Sequence, residues 1–139
     1  MRKLVAAVVI LCVSAACGGS NSGDAPGAAS SVAATLTDNA IQLDQSSAPA
    51  GTVTFTARNS GTVIHSLVLI KTDTPVDKLP ADPNDAARVA KAGEVRETAQ
   101  IPVGQTASFS AKLAAGNYIL VCNEPGHYLI GMRTAFVVK

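Results

Sequence analysis

The stretch Thr52-Val-Thr-Phe-Thr-Ala-Arg58 alternates polar with apolar side chains and is rich in β-branched residues. That is the pattern of a strand with one face in a core and the other in water. Similar stretches recur. Val32–Thr37 and Ala40–Leu43 flank the turn-prone Asp38-Asn39, Gln105–Leu113 and Asn117–Cys122 flank Ala114-Ala115-Gly116, and Arg133–Val138 closes the chain. Pro49-Ala50-Gly51 and Asn59-Ser60-Gly61 supply further turns, and Thr62–Ile70 reads as a more continuous apolar strand that carries His65. Strands this short and this closely spaced predict an all-β domain over residues 32–139, an antiparallel Greek-key β-sandwich of seven or eight strands. Tyr118, just after Gly116-Asn117, suits either a tyrosine corner at a crossover or an ordinary half-buried strand position.

Residues 71–100 interrupt the pattern. Asp82 is a good helix N-cap, Pro83 suits the first helical position, Asp85 lies in the first turn, and Gly93 is a stop after Lys91. One short helical insertion over Ala86–Ala92 is expected inside a long connection.

At the N-terminus, Met1-Arg2-Lys3 precedes an apolar run from Leu4 to Ala16, too short for a comfortable membrane span and suited to a secretory signal over residues 1–16. Cleavage after Ala16 is one outcome. The segment Ala15-Ala16-Cys17-Gly18 also resembles a bacterial lipoprotein box, in which Cys17 would be lipidated and anchor the chain to the membrane. Ser14 stands where that family usually places Leu. Residues 17–31, which after Cys17 are made of Gly, Ser, Ala, Asn, Asp and one Pro, read as a flexible tether. Both routes export the domain, to the cell envelope on the periplasmic or outer face.

Without Arg2 and Lys3, nine basic residues remain against ten acidic ones, a net charge near −1. No basic patch suits nucleic acid. Of the three cysteines, Cys12 lies in the signal and Cys17 at its end, which leaves Cys122 alone. Exported domains ordinarily use cysteines in pairs, so a lone one is either a bystander thiol or a ligand.

The segment Cys122-Asn-Glu-Pro-Gly-His-Tyr-Leu-Ile-Gly-Met132 places a thiol, an imidazole and a thioether within eleven positions. Taken singly, a cysteine at a strand end is commonly a small buried hydrophobe, a histidine in an apolar strand a satisfied core group, and a methionine core filler. Taken together, His65, Cys122, His127 and Met132 are all the histidines, all the unassigned thiols and all the internal methionines of the exported chain. Two imidazoles, a thiolate and a weak thioether form the donor set of an electron-transfer copper site rather than of a hard cation.

From Val32 to Lys139 the chain resembles the cupredoxin family of small blue (type 1) copper proteins, such as plastocyanin, azurin and auracyanin. Tyr118-Ile-Leu-Val-Cys122-Asn-Glu-Pro-Gly-His127, followed by Met132, is similar to that family's C-terminal copper loop. The Cys-x4-His part with Pro-Gly before His is similar to azurin- and auracyanin-like loops, and the four residues between His127 and Met132 to plastocyanin-like spacing. Asn59-x-Gly61 ahead of His65 is similar to the region before the family's first ligand, although Ser66 replaces the Asn common after it. The resemblance implies one type 1 copper per chain, with His65, Cys122 and His127 as the trigonal set and Met132 as the long axial contact. It also implies N–H donors from Ser66 and Glu124 to the Cys122 sulfur, and weak docking of redox partner proteins at an apolar surface near His127. For Tyr128, Leu129 and Ile130 the plain alternative is core packing.

The function expected is therefore a monomeric single-electron carrier cycling Cu(II)/Cu(I) at the cell envelope, not an enzyme. The alternative is copper storage or delivery, which usually needs several exposed Met and His ligands. An oxidase or reductase of this fold would need further histidines, a zinc hydrolase an open position where Met132 is expected, and a metal-free structural module none of these donors.

Overall fold

The computed structural model describes residues 29–139; the expected signal, Cys17 and most of the tether lie outside the described residues. Eleven strands run in chain order: β1 Ser30–Thr37, β2 Ala40–Leu43, β3 Ser47–Ala48, β4 Gly51–Asn59, β5 Val68–Lys71, β6 Ala81–Asp82, β7 Asp85–Val89, β8 Glu94–Glu97, β9 Thr106–Leu113, β10 Gly116–Val121 and β11 Arg133–Val138. Nine of them form two sheets, ordered β2-β1-β4-β9 and β3-β11-β10-β5-β8, and β6-β7 is a separate hairpin. The sandwich is as expected, but its sheets are mixed rather than wholly antiparallel. β1 pairs parallel to β4 and β3 parallel to β11.

Alternation in sequence becomes alternation in burial. Val32, Ala34 and Leu36 of β1 and Val53, Phe55 and Ala57 of β4 turn inward, opposite Leu69, Tyr118, Leu120, Phe136 and Val138 of the facing sheet. Phe55 meets Phe136 edge-on at 5.2 Å between ring centroids, which joins the two layers at their centre. Tyr118 is a true tyrosine corner. Its hydroxyl donates to the Ala114 carbonyl at 2.8 Å and ties down the β9–β10 connection, where the chain passes from one sheet to the other.

The helix expected over Ala86–Ala92 is not formed; Ala86–Val89 belong to β7 of the β6-β7 hairpin, and Ala90–Ala92 lead into the turn before β8. Asp82-Pro83-Asn84-Asp85 makes its turn, with Asp82 facing Asp85 and the Asn84 N–H donating to Asp82 Oδ1 at 2.8 Å. Asp followed by Pro serves the first two positions of a β-turn as well as it serves a helix start. Tertiary contacts then decide, because so short a helix has little stability of its own. The side chain of buried Asn123 accepts from Val89 N at 2.9 Å and donates to Val89 O at 3.1 Å, so it holds that backbone extended. Gly93 is a turn residue rather than a helix stop. Its φ is +81°, and a Cβ there would run into the Lys71 carbonyl oxygen.

The insertion covers the outer face of the five-stranded sheet. Val68 and Ile70 of β5 and Ile119 and Val121 of β10 pack outward beneath Val76, Leu79, Val89 and Tyr128. These two strands are thus buried on both faces, which explains why Thr62–Ile70 reads as a continuous apolar run. His65 itself lies ahead of β5, on an isolated bridge to Ile101. No helix among the described residues is long and apolar enough to cross a membrane.

Candidate metal centre

Three segments converge at one end of the sandwich. The first is the turn between β1 and β2, at Asp38-Asn39. The second is the loop from β4 to β5. Here buried Asn59 donates to the carbonyls of Val63 and Ile101 at 2.7 and 2.8 Å and accepts the Gly61 N–H at 2.9 Å, using both ends of its amide to shape the approach to His65. His65 N and O pair with Ile101 O and N at 3.2 and 2.7 Å, which fixes the backbone from which the imidazole projects.

The third segment is the β10–β11 loop. Cys122 continues the ladder one residue beyond β10, its N–H donating to Met132 O at 3.0 Å, and Met132 N donates back to His127 O at 3.0 Å. Tight turns fill the interval, with His127 N to Glu124 O at 3.1 Å and Leu129 N to Gly126 O at 3.1 Å. From outside, the Gly126 N–H donates to Ala87 O at 2.7 Å, and the Tyr128 hydroxyl bridges Val76 O and Leu79 N at 2.9 and 3.0 Å. Arg88 donates to the Asn123 carbonyl. The β6-β7 insertion therefore braces the loop.

The side chains meet within a few ångströms. His65 Nδ1 lies 3.2 Å from His127 Nδ1, and Cys122 Sγ lies 3.8 Å from the first and 3.4 Å from the second. His65 and Cys122 are fully buried, and His127 is half-buried. An ion bonded to nitrogen at about 2.0 Å and to thiolate at about 2.3 Å in a trigonal plane needs its donors about 3.5–3.7 Å apart. The observed separations bracket that requirement, so the donor set fits one soft or borderline ion. Met132 is fully buried in the same core cluster as Cys122.

Burial acts oppositely on the two buried donors as metal ligands. Burial lowers the pKa of His65 against the opposing pull of Asp38, which favours the neutral imidazole a metal requires. Burial pushes the Cys122 thiol up, opposed by backbone N–H groups of Ser66 and Glu124. The Ser66 N–H donates to the sulfur at 3.4 Å, and the Ser66 hydroxyl stands 4.0 Å away. Of the two N–H donors expected from the sequence, that of Ser66 reaches the sulfur, and Ser66 links the two ligand loops. Without metal Cys122 is a thiol, and binding displaces its proton.

Asp38 was not singled out by the sequence. Its Oδ1 lies 3.3 Å from His65 Nε2, and it is held there by Thr62, whose N–H donates to Oδ1 at 2.7 Å and whose hydroxyl donates to Oδ2 at 2.8 Å. The Thr62 bonds, with His65 behind them, hold the Asp38 carboxyl below its usual range. Twenty-seven positions separate Asp38 from His65, and only the pairing of β1 with β4 brings them together. Tyr128 is also placed differently from the apolar surface expected around His127. It is buried in the outer core, while Leu129 and Ile130 are 67% and 60% exposed and Val63 and Ile64 are 46% and 45% exposed.

A two-sheet sandwich with a tyrosine corner, and two imidazoles and a thiol gathered at the end of its last two strands, defines a cupredoxin. The Sulfocyanin (SoxE) domain matches residues 28–139, and the chain belongs to that family. Among solved structures, reduced rusticyanin is 25% identical over 78% of each chain with a TM-score of 0.61; a rusticyanin structure comes from Thiobacillus ferrooxidans. Auracyanin B is 26% identical, over 88% of this chain and 96% of that one, with a TM-score of 0.58. The dithionite-reduced auracyanin of Roseiflexus castenholzii shares the fold at 23% identity, over 84% and 99% of the two chains, with a TM-score of 0.55. The sequence finds no match among curated proteins.

Proposed function

We propose that the protein is a single-electron carrier of the blue copper type, in which His65, Cys122, His127 and Met132 would hold the ion. The carrying observation is the buried cluster of His65 Nδ1, Cys122 Sγ and His127 Nδ1 with mutual distances of 3.2–3.8 Å. Rusticyanin, which this chain resembles, is described as a copper protein, and structures of reduced rusticyanin and reduced auracyanin exist. Copper bound here would supply a Cu(II)/Cu(I) couple, with thiolate favouring the first state and thioether the second. The protein's own part is to hold the donors still. Cys122 and Met132 are tied by a ladder hydrogen bond, His65 by its bridge to Ile101, and the loop by the insertion. Burial of His65, Cys122 and Met132 argues against a delivery role, in which ligands must be reachable by the next protein. The apolar Leu4–Ala16 segment supports export within the same reading.

The direct test is to add Cu(II) to the purified protein and record the visible spectrum. An intense thiolate-to-copper band is expected; a colourless protein that prefers zinc would remove the proposal. Met132→Leu should keep the colour but raise the reduction potential by about 60–120 mV, one to two tenfold steps in relative affinity. An unchanged potential would mean that Met132 is no ligand.

Electron exchange belongs at the exposed Val63, Ile64, Leu129 and Ile130, which flank the two histidines. A redox partner would dock weakly over this apolar surface, with half-buried His127 as the exit. Leu129→Asp should leave the spectrum intact and slow self-exchange between oxidised and reduced copies about tenfold, or roughly 1.4 kcal/mol. Equal NMR exchange rates in the two proteins would move the docking surface elsewhere.

A further inference from the structure

We propose that Asp38 is a positioning residue for His65, a carboxylate on the β1–β2 turn that fixes the tautomer of the imidazole and biases the site toward the oxidised ion. The inference rests on the copper reading above and adds a residue outside its four ligands.

The geometry is built rather than incidental. His65 has one nitrogen, Nδ1, facing Cys122 and His127, and the other, Nε2, 3.3 Å from Asp38 Oδ1. A carboxylate in this position can only accept, so Nε2 carries the proton and the Nδ1 lone pair is left for the metal. Asp38 is not free to swing away, because Thr62 pins both of its oxygens, at 2.7 and 2.8 Å. Space for the contact is reserved by Gly61. A Cβ at that position would lie 2.6 Å from His65 Nε2 and closer still to Asp38 Oδ1. The same turn abuts the other side of the site, where Gly131, at φ +119°, would place a Cβ 2.7 Å from the Asn39 carbonyl oxygen. Two glycines thus let the β1–β2 turn close against both ligand loops.

The chemical consequence follows from where the proton sits. Donation of Nε2–H to an anion moves electron density toward Nδ1 and strengthens it as a donor, and the more highly charged ion gains more from this. Among the described residues His127 has no carboxylate partner for its side chain, so the two imidazoles are unequal. His65 is the buried, oriented ligand, and His127 the half-exposed one.

The test compares full-length wild type, Asp38→Asn and Asp38→Ala by two measurements. One is the reduction potential of each copper-loaded protein; the other is the His65 tautomer in each metal-free protein, read from long-range proton–nitrogen NMR correlations. Asp38→Asn keeps the shape and an acceptor oxygen but removes the charge. It should lower the Cu(II)-to-Cu(I) affinity ratio about tenfold, at the low end for an outer partner of a metal ligand, which is a rise of about 59 mV for a one-electron couple. Asp38→Ala should raise the potential at least as far and convert a single Nε2–H tautomer into a mixture. Blue variants with the wild-type potential and an unchanged tautomer would reduce Asp38 to a turn residue and overturn the inference. A wild-type protein that never turns blue would instead overturn the copper reading, and the metal-free tautomers would still decide the role of Asp38. If Asp38→Ala does not fold, the near-isosteric Asp38→Asn carries the potential measurement.

Discussion

Cys122→Ser is expected to abolish the intense visible band of the copper-loaded protein while leaving its metal-free fold in place. The band requires a thiolate bonded to the ion, and Cys122 is the one free thiol among the described residues. Serine occupies less space, its hydroxyl can accept the Ser66 N–H that now reaches the sulfur at 3.4 Å, and it retains the backbone bond to Met132 O. What it lacks is an accessible anion. The thiol loses its proton to a soft metal at neutral pH, whereas an aliphatic hydroxyl does not. The remaining donors are neutral, so copper affinity should fall by more than the roughly 10–100-fold that loss of an outer hydrogen-bond partner costs. Spectra and thermal melts of the two proteins check both halves. A variant that is still intensely blue would place the site elsewhere, and one that is unfolded without metal would make Cys122 a packing residue first.

Asn123→Ala should have the largest effect on stability. The Asn123 side chain is 4% exposed and satisfies both backbone groups of Val89. Alanine leaves a buried donor and a buried acceptor unpaired, each worth about 1–3 kcal/mol. The hairpin can loosen and admit water, so about 2–4 kcal/mol is expected in all, a fall in melting temperature on the order of 10 °C for a domain of this size. Because the hairpin also holds Gly126 through Ala87 O, the loop should loosen with it, and amide hydrogen exchange should rise from 123 to 131. Wild-type stability and exchange would show that the insertion merely lies on the sheet.

The four donors were legible because scarcity made them so. With few histidines, one available thiol and one internal methionine, chemistry left little choice of partners, and local spacing placed three of them in one loop. The long strands were legible for a different reason. β1, β4 and β9 each face water on one side, so their burial alternates. The insertion failed for want of such a pattern. Asp82-Pro83 satisfies helix and turn rules alike, and the deciding contact is Asn123, thirty-four positions from Val89. Very short strands such as β3 and β8, and the parallel pairing of β1 with β4, are likewise fixed by partners distant in sequence. Asp38 belongs with them, because a turn aspartate gives no local sign that a histidine will lie behind it.

The division of the donors into three neighbours and one distant member has a bearing on folding. An unfolded chain keeps Cys122, His127 and Met132 within eleven positions, so it retains much of its ability to chelate a soft ion. A ligand stabilises a fold only by the difference between its affinity for the native and unfolded chains. That difference is carried by His65, which reaches the loop only when β4 has paired and Ile101 has closed its bridge. Copper would therefore stabilise the native protein less than its absolute affinity suggests, and the histidine far away in the chain sets how much.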